Sequence, residues 1–161
     1  QEKFGPEVSK LAMKGDPRAI AFPRPMINHK NYNFSFSGLK TAVLYYLQSL
    51  QLTAYSLQLK KDVCASFQQA VVDVLVTKTL RAAREYKARS ISLSGGVAAN
   101  QLLRLTLAKE TKNDGRHFLF PAKNLCTDNA EMIGLAAAFM LYNGFKPKSF
   151  KQVKADSNLA L

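Results

Sequence analysis

Hydrophobic residues repeat every three to four positions along much of this chain, which is the spacing of one face of an α-helix. The clearest run extends from residue 63 to about residue 86 and contains Val63, Phe67, Val71, Val74 and Leu75. Asp62 precedes this run and is predicted to be its N-cap, since a short carboxylate side chain accepts hydrogen bonds from a first helical turn. Further helices are predicted from Leu39 to about Leu52, behind Asn100, and from Ala130 to Tyr142.

Short apolar runs between turn residues predict strands. Ser90-Ile91-Ser92-Leu93 and His117-Phe118-Leu119-Phe120 flank the helix behind Asn100, and Phe34-Ser35-Phe36 alternates like a third strand. Strand, helix and strand in that order favour a parallel α/β layer. Because two or three strands make a small sheet, we predict a helix-rich α/β fold with a small mixed sheet.

Proline and glycine set the first 32 residues apart, since four of the six prolines lie there. Gly5-Pro6 and Gly15-Asp16-Pro17 predict turns with a short helix between them. Pro23-Arg24-Pro25 predicts extended chain, because proline disfavours a helical conformation in the residue before it.

The length of 161 residues fits one compact domain with extensions, since a domain usually holds about 100–200 residues. Hydrophobic residues make up 47% of the chain and charged residues 21%, which excludes a largely disordered protein. We predict an extended strap over residues 1–36, an α/β core over residues 37–145 and a loose basic tail over residues 146–161.

The net charge of +12 is unusual and comes from 23 basic and 11 acidic residues. Such an excess favours a polyanionic partner such as nucleic acid, and a basic surface that serves solubility alone accounts for it equally well. On the longest predicted helix, Lys78, Arg81, Arg84 and Lys87 lie broadly on one side. We interpret them as a solvated basic face, with a track for phosphates as the alternative.

Two cysteines, Cys64 and Cys126, are too few for a disulfide scaffold and predict free thiols in a reducing compartment. The most apolar run, Met132 to Tyr142, is shorter than the roughly 20 residues that span a bilayer. The first residues lack the apolar stretch of a secretory signal. These features predict a protein of the cytoplasm, or of the mitochondrial matrix, that is not held in a membrane.

A glycine pair between a predicted strand and a predicted helix is the first candidate site. Ser94-Gly95-Gly96 follows the strand, and Asn100 stands near the start of the helix. A ligand can approach the glycine backbone closely, a helix N-terminus attracts anions, and the Asn100 amide is able to bind a ribose or a base. A tight turn without a ligand is the alternative, because the dinucleotide and P-loop signatures are incomplete.

Thr127-Asp128-Asn129-Ala130-Glu131 is the second candidate site and allows two interpretations. Asp128 and Glu131 have the spacing of a capping box, which by itself accounts for an acid at a helix start. A metal-ligating carboxylate at Asp128 is the functional alternative. His29 and His117 lack ligand spacing, so these residues by themselves favour the cap.

A third segment, Ser37-Gly38-Leu39-Lys40-Thr41, opens a predicted helix with Ser37 as its cap. Lys40 in the first turn opposes the helix dipole, so it is either solvated or held by an anion or a carboxylate. No Ser-His-Asp or Cys-His arrangement is recognisable in the sequence, which argues against a protease.

Six blocks of sequence resemble one family in the right order over most of residues 5–143. They are Phe22-Pro23-Arg24-Pro25-Met26, Phe34-Ser35-Phe36-Ser37-Gly38-Leu39-Lys40-Thr41-Ala42-Val43, Ala65-Ser66-Phe67-Gln68, Ala70-Val71-Val72-Asp73, Ser94-Gly95-Gly96-Val97-Ala98-Ala99-Asn100 and Cys126-Thr127-Asp128-Asn129. The chain resembles the C-terminal half of the tRNA threonylcarbamoyladenosine transferases of the TsaD type, formerly described as O-sialoglycoprotein endopeptidases.

The resemblance implies an actin-like, Hsp70-like ATPase (ASKHA) fold with two related α/β lobes, of which this chain is the C-terminal one. Residues 1–36 would then include the partial start of the lobe. The implied enzyme is an acyltransferase that moves a threonylcarbamoyl group from threonylcarbamoyl-adenylate to a tRNA. The acceptor is the exocyclic amine of the adenosine next to the anticodon, in tRNAs that read codons beginning with A.

The resemblance also implies roles for single residues. Gly5 and Asn100 would contact the adenylate, or ATP in its place, and Gly95-Gly96 would form the turn on the adenosine side. Asp128 would be a ligand of one divalent metal, which is iron or alternatively zinc or magnesium, and this overrides the cap. The implied partners are tRNA and, in bacteria, a TsaB-type paralogue and a TsaE-type ATPase.

The sequence departs from the family at several points. Members are about twice this length, as two α/β lobes require. The family's His-x-x-x-His metal helix, its Ser-Gly-Gly-His phosphate turn and its ribose-binding aspartate, all from the N-terminal lobe, do not occur here, and Glu2-Lys3-Phe4-Gly5-Pro6 replaces Tyr-Pro-Gly-Gly-Pro. We therefore expect a fragment that needs the missing N-terminal lobe and is inactive alone. A non-catalytic tRNA- or partner-binding relative, or another carbamoyltransferase of the superfamily, is the alternative.

Overall fold

The computed structural model of the chain describes residues 4–50, 56–147, 149 and 151. Residues 1–126 form one compact unit and residues 127–161 a second. Most of the predicted basic tail, and the predicted helix end at Leu52, lie outside the described residues.

The described elements are mainly helical. The first unit contains α1 (Phe4–Ala12), α2 (Ser37–Ser49), α3 (Leu57–Glu85), β1 (Ser90–Ser92), α4 (Gln101–Asn113) and β2 (His117–Leu119), with short 3-10 turns at Gly96–Ala99 and Lys123–Leu125. The second unit contains α5 (Ala130–Tyr142). The predicted pair of strands, the short helix near the start and the bounds of the last helix are confirmed.

Helix α3 is the central element of the first unit, and its 29 residues extend about 43 Å. Its N-terminal half shares a hydrophobic cluster with α2 and the proline-rich segment, formed by Phe22, Leu39, Val63 and Ala70. Its C-terminal half shares a second cluster with β1 and α4, formed by Val72, Val76, Leu80, Ala83, Ile91, Leu103 and Leu107. Burial of these apolar side chains is the main contribution to the stability of the unit.

Strands β1 and β2 pair in parallel, with Ser90 opposite His117 and Ser92 opposite Leu119. Helix α4 provides the crossover that a parallel pair requires. Ile91 is buried between two exposed serines, so the strand presents one side chain to the core. The predicted parallel α/β layer is confirmed, whereas the mixed sheet is wrong for the described residues, where the sheet is two-stranded and parallel.

Phe34-Ser35-Phe36 does not form the predicted strand. The rings of Phe34 and Phe36 stack with centroids 6.4 Å apart and planes 12° apart. The ammonium group of Lys78 lies 5.4 Å from the centre of the Phe34 ring. The two-residue alternation therefore places both rings on one side of the chain, where they stack on each other and Phe34 contacts Lys78. The segment does not pair with any described strand.

Three predicted helix starts differ from the observed ones. The cap of α3 is Ser56, whose Oγ accepts a hydrogen bond from the Leu59 N–H at 3.1 Å. Asp62 lies within the helix, and its carboxylate accepts the Asp16 N–H at 2.8 Å, which ties the proline-rich segment to α3. Ser37 is the first residue of α2 and not its cap. Gly5-Pro6 lies within the first turn of α1, where a proline needs no N–H partner.

The basic side of α3 is divided. Arg84 and Lys87 are exposed, as a solvated face predicts, whereas Lys78 and Arg81 contact a neighbouring segment. Lys78 is 1% exposed, and its Nζ donates to the carbonyl oxygens of Met26 at 3.1 Å and Asn33 at 2.6 Å. Arg81 donates to three further carbonyls of the same segment, the shortest at 2.6 Å. Desolvation by burial lowers the pKa of Lys78, and the neighbouring charge of Arg81 lowers it further. These two cations hold the segment 26–34 against α3.

Helix α5 of the second unit begins after Asn129, whose Oδ1 accepts the Met132 N–H at 2.9 Å. It ends at Asn143, and Gly144 follows in the left-handed region with φ of +84°. Although Glu131 is the one charged residue of the helix, every side chain from 130 to 147 is exposed.

Among the described helices, none combines the length and the apolar character that a membrane crossing needs.

Candidate functional site

The chain leaves β1 through a sharp turn at Gly95. This residue has φ of +77° and ψ of −179°, a conformation that a residue with a side chain strongly disfavours. Gly96–Ala99 then forms a 3-10 turn that leads directly to Asn100. A turn between strand and helix is therefore present at the glycine pair, and its backbone requires glycine at Gly95.

Asn100 is the cap of α4, and its amide connects three helices. Its Oδ1 accepts the Leu103 N–H at 3.0 Å. Its Nδ2 donates to Oε1 of Gln68 on α3 at 2.9 Å and to Oγ of Ser9 on α1 at 3.3 Å. Neither Gln68 nor Ser9 was assigned a role from the sequence, because nothing in the spacing of these three residues predicts that they meet.

A cleft of about 730 Å³ lies beside this amide, within the range of about 300–1,000 Å³ usual for small-molecule sites. Three of the predicted ligand residues, Gly5, Gly96 and Asn100, line it. Gly95 does not line the cleft, although its turn leads into Gly96. The structure therefore brings together residues from α1, the 3-10 turn and the start of α4.

The chemistry of the lining favours a ligand with an apolar ring, polar edges and negative charge. Amide side chains, such as those of Gln68 and Gln101, supply both donors and acceptors. Of the two lysines at the cleft, Lys10 pairs with Glu7 at 2.7 Å, whereas Lys123 has no ion-pair partner in the described part of the chain. No described carboxylate lines the cleft.

Arg104 holds the outer side of the turn. Its guanidinium donates to the carbonyl oxygen of Ala98 at 2.8 Å and 3.0 Å and to the sulfur of Cys126 at 3.2 Å. It also lies 4.6 Å from the centre of the Phe120 ring. Arg104 was not among the residues predicted from the sequence, although a cation in the first turns of a helix, where the dipole opposes it, was an available signal.

Both cysteines are free thiols, as predicted. Cys126 is 2% exposed and stands two positions before Asp128, so Arg104 anchors the chain immediately ahead of the second candidate site. Burial raises the pKa of the Cys64 thiol, which disfavours the reactive thiolate.

Asp128 lies in the second unit and does not cap α5, because Asn129 takes that position. The capping-box interpretation is therefore wrong. Asp128 is exposed, and none of the described residues donates a hydrogen bond to its carboxylate or pairs with it. A free carboxylate is a suitable oxygen ligand for a divalent metal. The described residues contain no cluster of three or more His, Cys, Asp or Glu that could hold a metal.

Comparison with known proteins agrees with the resemblance seen in the sequence. Residues 2–135 match the TsaD family model, described as tRNA N6-adenosine threonylcarbamoyltransferase. A relative of that name from Moorella thermoacetica is 50% identical over 150 residues, which are 92% of this chain and 44% of the relative. One from Thermotoga neapolitana is 51% identical over 132 residues, or 82% of this chain and 39% of the relative.

A third relative of the same name, from Clostridium botulinum, is 46% identical over 140 residues, which are 87% of this chain and 41% of the relative. The chain thus spans about two-fifths of the length of the curated relatives it matches. Because the family model covers most of its residues, the chain belongs to the TsaD family.

Proposed function

We propose that this chain is the C-terminal part of a tRNA N6-adenosine threonylcarbamoyltransferase. The reaction is acyl transfer, from threonylcarbamoyl-adenylate to the exocyclic amine of the adenosine next to the anticodon. The observation that carries the proposal is that Gly5 on α1 lines the same cleft as Gly96 and Asn100, which lie far from it along the chain. Relatives named for this activity support it.

The cleft is proposed to hold the adenylate, or ATP in its place. Apolar lining suits a purine ring, and the amides of the cleft suit the polar edges of the ring and the ribose. The helix start at Asn100 and the ammonium group of Lys123 both favour the negative charge of a phosphate. Gly95 keeps the turn in the conformation that exposes Gly96 to the ligand.

Asp128 is proposed to bind a divalent metal, which is iron or alternatively zinc or magnesium. Its exposed carboxylate provides one oxygen ligand, and the N-terminal lobe of the complete enzyme provides the others. When bound, such a metal would polarise the threonylcarbamoyl carbonyl and stabilise charge during acyl transfer.

The fold is proposed to be the C-terminal lobe of an ASKHA ATPase fold, with the N-terminal lobe as the opposite wall of the ligand site. The described helices and the parallel β1–β2 pair are compatible with such a lobe. In bacteria, a TsaB-type paralogue and a TsaE-type ATPase would be partners. We place the protein in the cytoplasm, or alternatively in the mitochondrial matrix, and away from membranes.

Transfer activity in a chimera tests this function. The corresponding 150 residues of the Moorella thermoacetica relative are replaced by this chain, and modified adenosine in tRNA is measured with threonylcarbamoyl-adenylate as donor. We expect activity in the chimera, a loss of about 100-fold or more with Asp128→Ala, and none with this chain alone. A folded chimera that leaves tRNA unmodified contradicts the proposal, and activity of the chain alone contradicts its dependence on the N-terminal lobe.

A non-catalytic tRNA-binding role is the second candidate, and the net charge of +12 favours it. Binding through basic side chains releases counterions, so affinity for tRNA must fall steeply with salt. If the chain binds tRNA in this way and the chimera is inactive, the binding role is favoured. Negligible tRNA binding at low salt excludes it.

A further inference from the structure

The orientation of the Gln68 side chain follows from that of Asn100. A backbone N–H is a donor only, so the Asn100 atom that lies 3.0 Å from the Leu103 nitrogen must be the oxygen. The Asn100 nitrogen therefore faces Gln68, and because it is a donor it needs an acceptor there. The Gln68 atom at 2.9 Å must then be Oε1, which directs Nε2 away from Asn100.

The two amides differ in what they have left for a ligand. Asn100 uses both of its N–H groups, for Gln68 and Ser9, and one lone pair of its oxygen, for Leu103. It retains a single acceptor position. Gln68 is half-buried and lines the cleft, and no described residue accepts a hydrogen bond from its Nε2. It therefore retains two donors.

We propose that Gln68 is a specificity-determining residue of the cleft, with Nε2 donating a hydrogen bond to an acceptor on the base of a bound nucleoside. Asn100 is the positioning residue that holds this donor in place. The inference rests on the proposed function, which supplies the nucleoside as ligand. A donor on Gln68 matches the ring-nitrogen acceptor on the amino edge of adenine. It does not match hypoxanthine, whose corresponding edge has the opposite polarity.

The donor on Gln68 is tested with adenosine and inosine, which are both uncharged. Their affinities for the full 161-residue chain are measured by NMR titration. Gln68→Glu keeps the acceptor toward Asn100 and replaces the donor toward the cleft by an acceptor. Gln48→Glu is the matched control, because it makes the same charge change on an exposed side chain of α2 that does not line the cleft.

We expect the unsubstituted chain to bind adenosine more tightly than inosine. Gln68→Glu should lower the adenosine affinity about tenfold and remove the preference over inosine, whereas Gln48→Glu should change the affinity by about twofold or less. A purely structural role of Gln68 would lower both affinities together and leave the preference intact.

An unchanged preference in Gln68→Glu overturns the inference while leaving the nucleoside site in place. If only the chimera described above binds adenosine, the same comparison of variants is made in the chimera. Failure of both the chain and the chimera to bind adenosine overturns the proposed function of the cleft, and the inference with it. If Gln68→Glu does not fold, the side-chain amide signals of Gln68 in the unsubstituted chain decide instead. They must shift on saturation with adenosine, and unmoved signals overturn the inference.

Discussion

Helices α4 and α5 have the same length of 13 residues and the same kind of start, yet they differ in how many side chains they bury. Each follows an asparagine whose Oδ1 accepts the N–H three positions on, at 3.0 Å for Asn100 and 2.9 Å for Asn129. The Nδ2 of Asn100 reaches α3 and α1, whereas that of Asn129 donates to the carbonyl of Thr127 at 2.8 Å.

The more polar of the two helices, α4, is the one that buries side chains. Helix α4 contains four charged residues and buries Leu103, Leu107 and Thr111, whereas α5 contains one charged residue and buries none. A helix cap is thus local chemistry that any chain can encode. The cap at Asn100 becomes part of the candidate site because its Nδ2 also donates to Gln68 on α3 and Ser9 on α1.

The largest expected difference between the two helices is in core packing. Leu107→Ala should lower the free energy of unfolding by about 2–5 kcal/mol, because the side chain is 3% exposed within the second hydrophobic cluster. Leu135→Ala is the matched change on α5, where the side chain is 72% exposed, and should cost about 0.5 kcal/mol or less. Urea denaturation followed by circular dichroism measures both, and equal losses would contradict the contrast.

Removal of the two caps should have the next largest effect. Asn129→Ala loses a cap worth about 1 kcal/mol in local helix stability. Asn100→Ala loses the same cap and also leaves Gln68 and Ser9 without their shared donor, so we expect about 2 kcal/mol. Denaturation curves of both variants, with far-ultraviolet circular dichroism for helix content, provide the comparison. If Asn100→Ala costs no more than Asn129→Ala, the bonds to α1 and α3 contribute nothing.

Aspartate at the two cap positions should separate capping from the tertiary contact. Asp caps a helix as well as Asn does, so Asn129→Asp and Asn100→Asp should each change the free energy of unfolding by about 0.5 kcal/mol or less. At position 100 the lost amide removes the donor that orients Gln68, and Gln68 can turn to donate to the new carboxylate. Adenosine affinity, measured by NMR titration, should then fall about tenfold in Asn100→Asp and stay unchanged in Asn129→Asp. Full affinity in Asn100→Asp would show that the cleft does not depend on this orientation.

The smallest expected effect is a pH dependence at the end of α4. Hydrogen bonds from Arg116 and then Arg84 hold the pKa of Asp114 below its ordinary value. As the pH falls, the Asp114 carboxylate of the unfolded chain therefore becomes protonated at a higher pH than that of the folded chain. The stabilisation is complete above the ordinary Asp pKa of about 4, and it is lost as the pH drops through the lower pKa of the folded state.

Asp114→Asn tests this pH dependence. The variant should melt at a lower temperature than the unsubstituted chain at pH 7, and the difference should shrink as the pH is lowered from 5 toward 2. Helix α5 ends at Asn143, which does not titrate, so Asn143→Ala should show no such convergence. A gap between Asp114→Asn and the unsubstituted chain that stays constant with pH would contradict the role of the two arginines.

Sequence reasoning succeeded where the determinants are close together along the chain. The turn at Gly95-Gly96, the strands on either side of α4 and both ends of α5 depend on a few neighbouring residues, and they were predicted. The prediction was wrong where the surroundings of a side chain are set by residues far away in the sequence. The basic side of α3 looked solvated, yet Lys78 is buried because the carbonyl groups of the segment 26–34 fold over it.

The sequence by itself determined the family of this protein, the positions of its βαβ elements and the identity of the candidate residues at 5, 96, 100 and 128. Only the tertiary structure decided that the Asn100 amide donates hydrogen bonds to Ser9 and Gln68, which lie 91 and 32 positions away. Only the structure showed that Asn129, and not Asp128, caps α5. The physical reason is that periodicity and capping act within a few residues, whereas hydrogen bonds between helices depend on how the hydrophobic clusters bring those helices together.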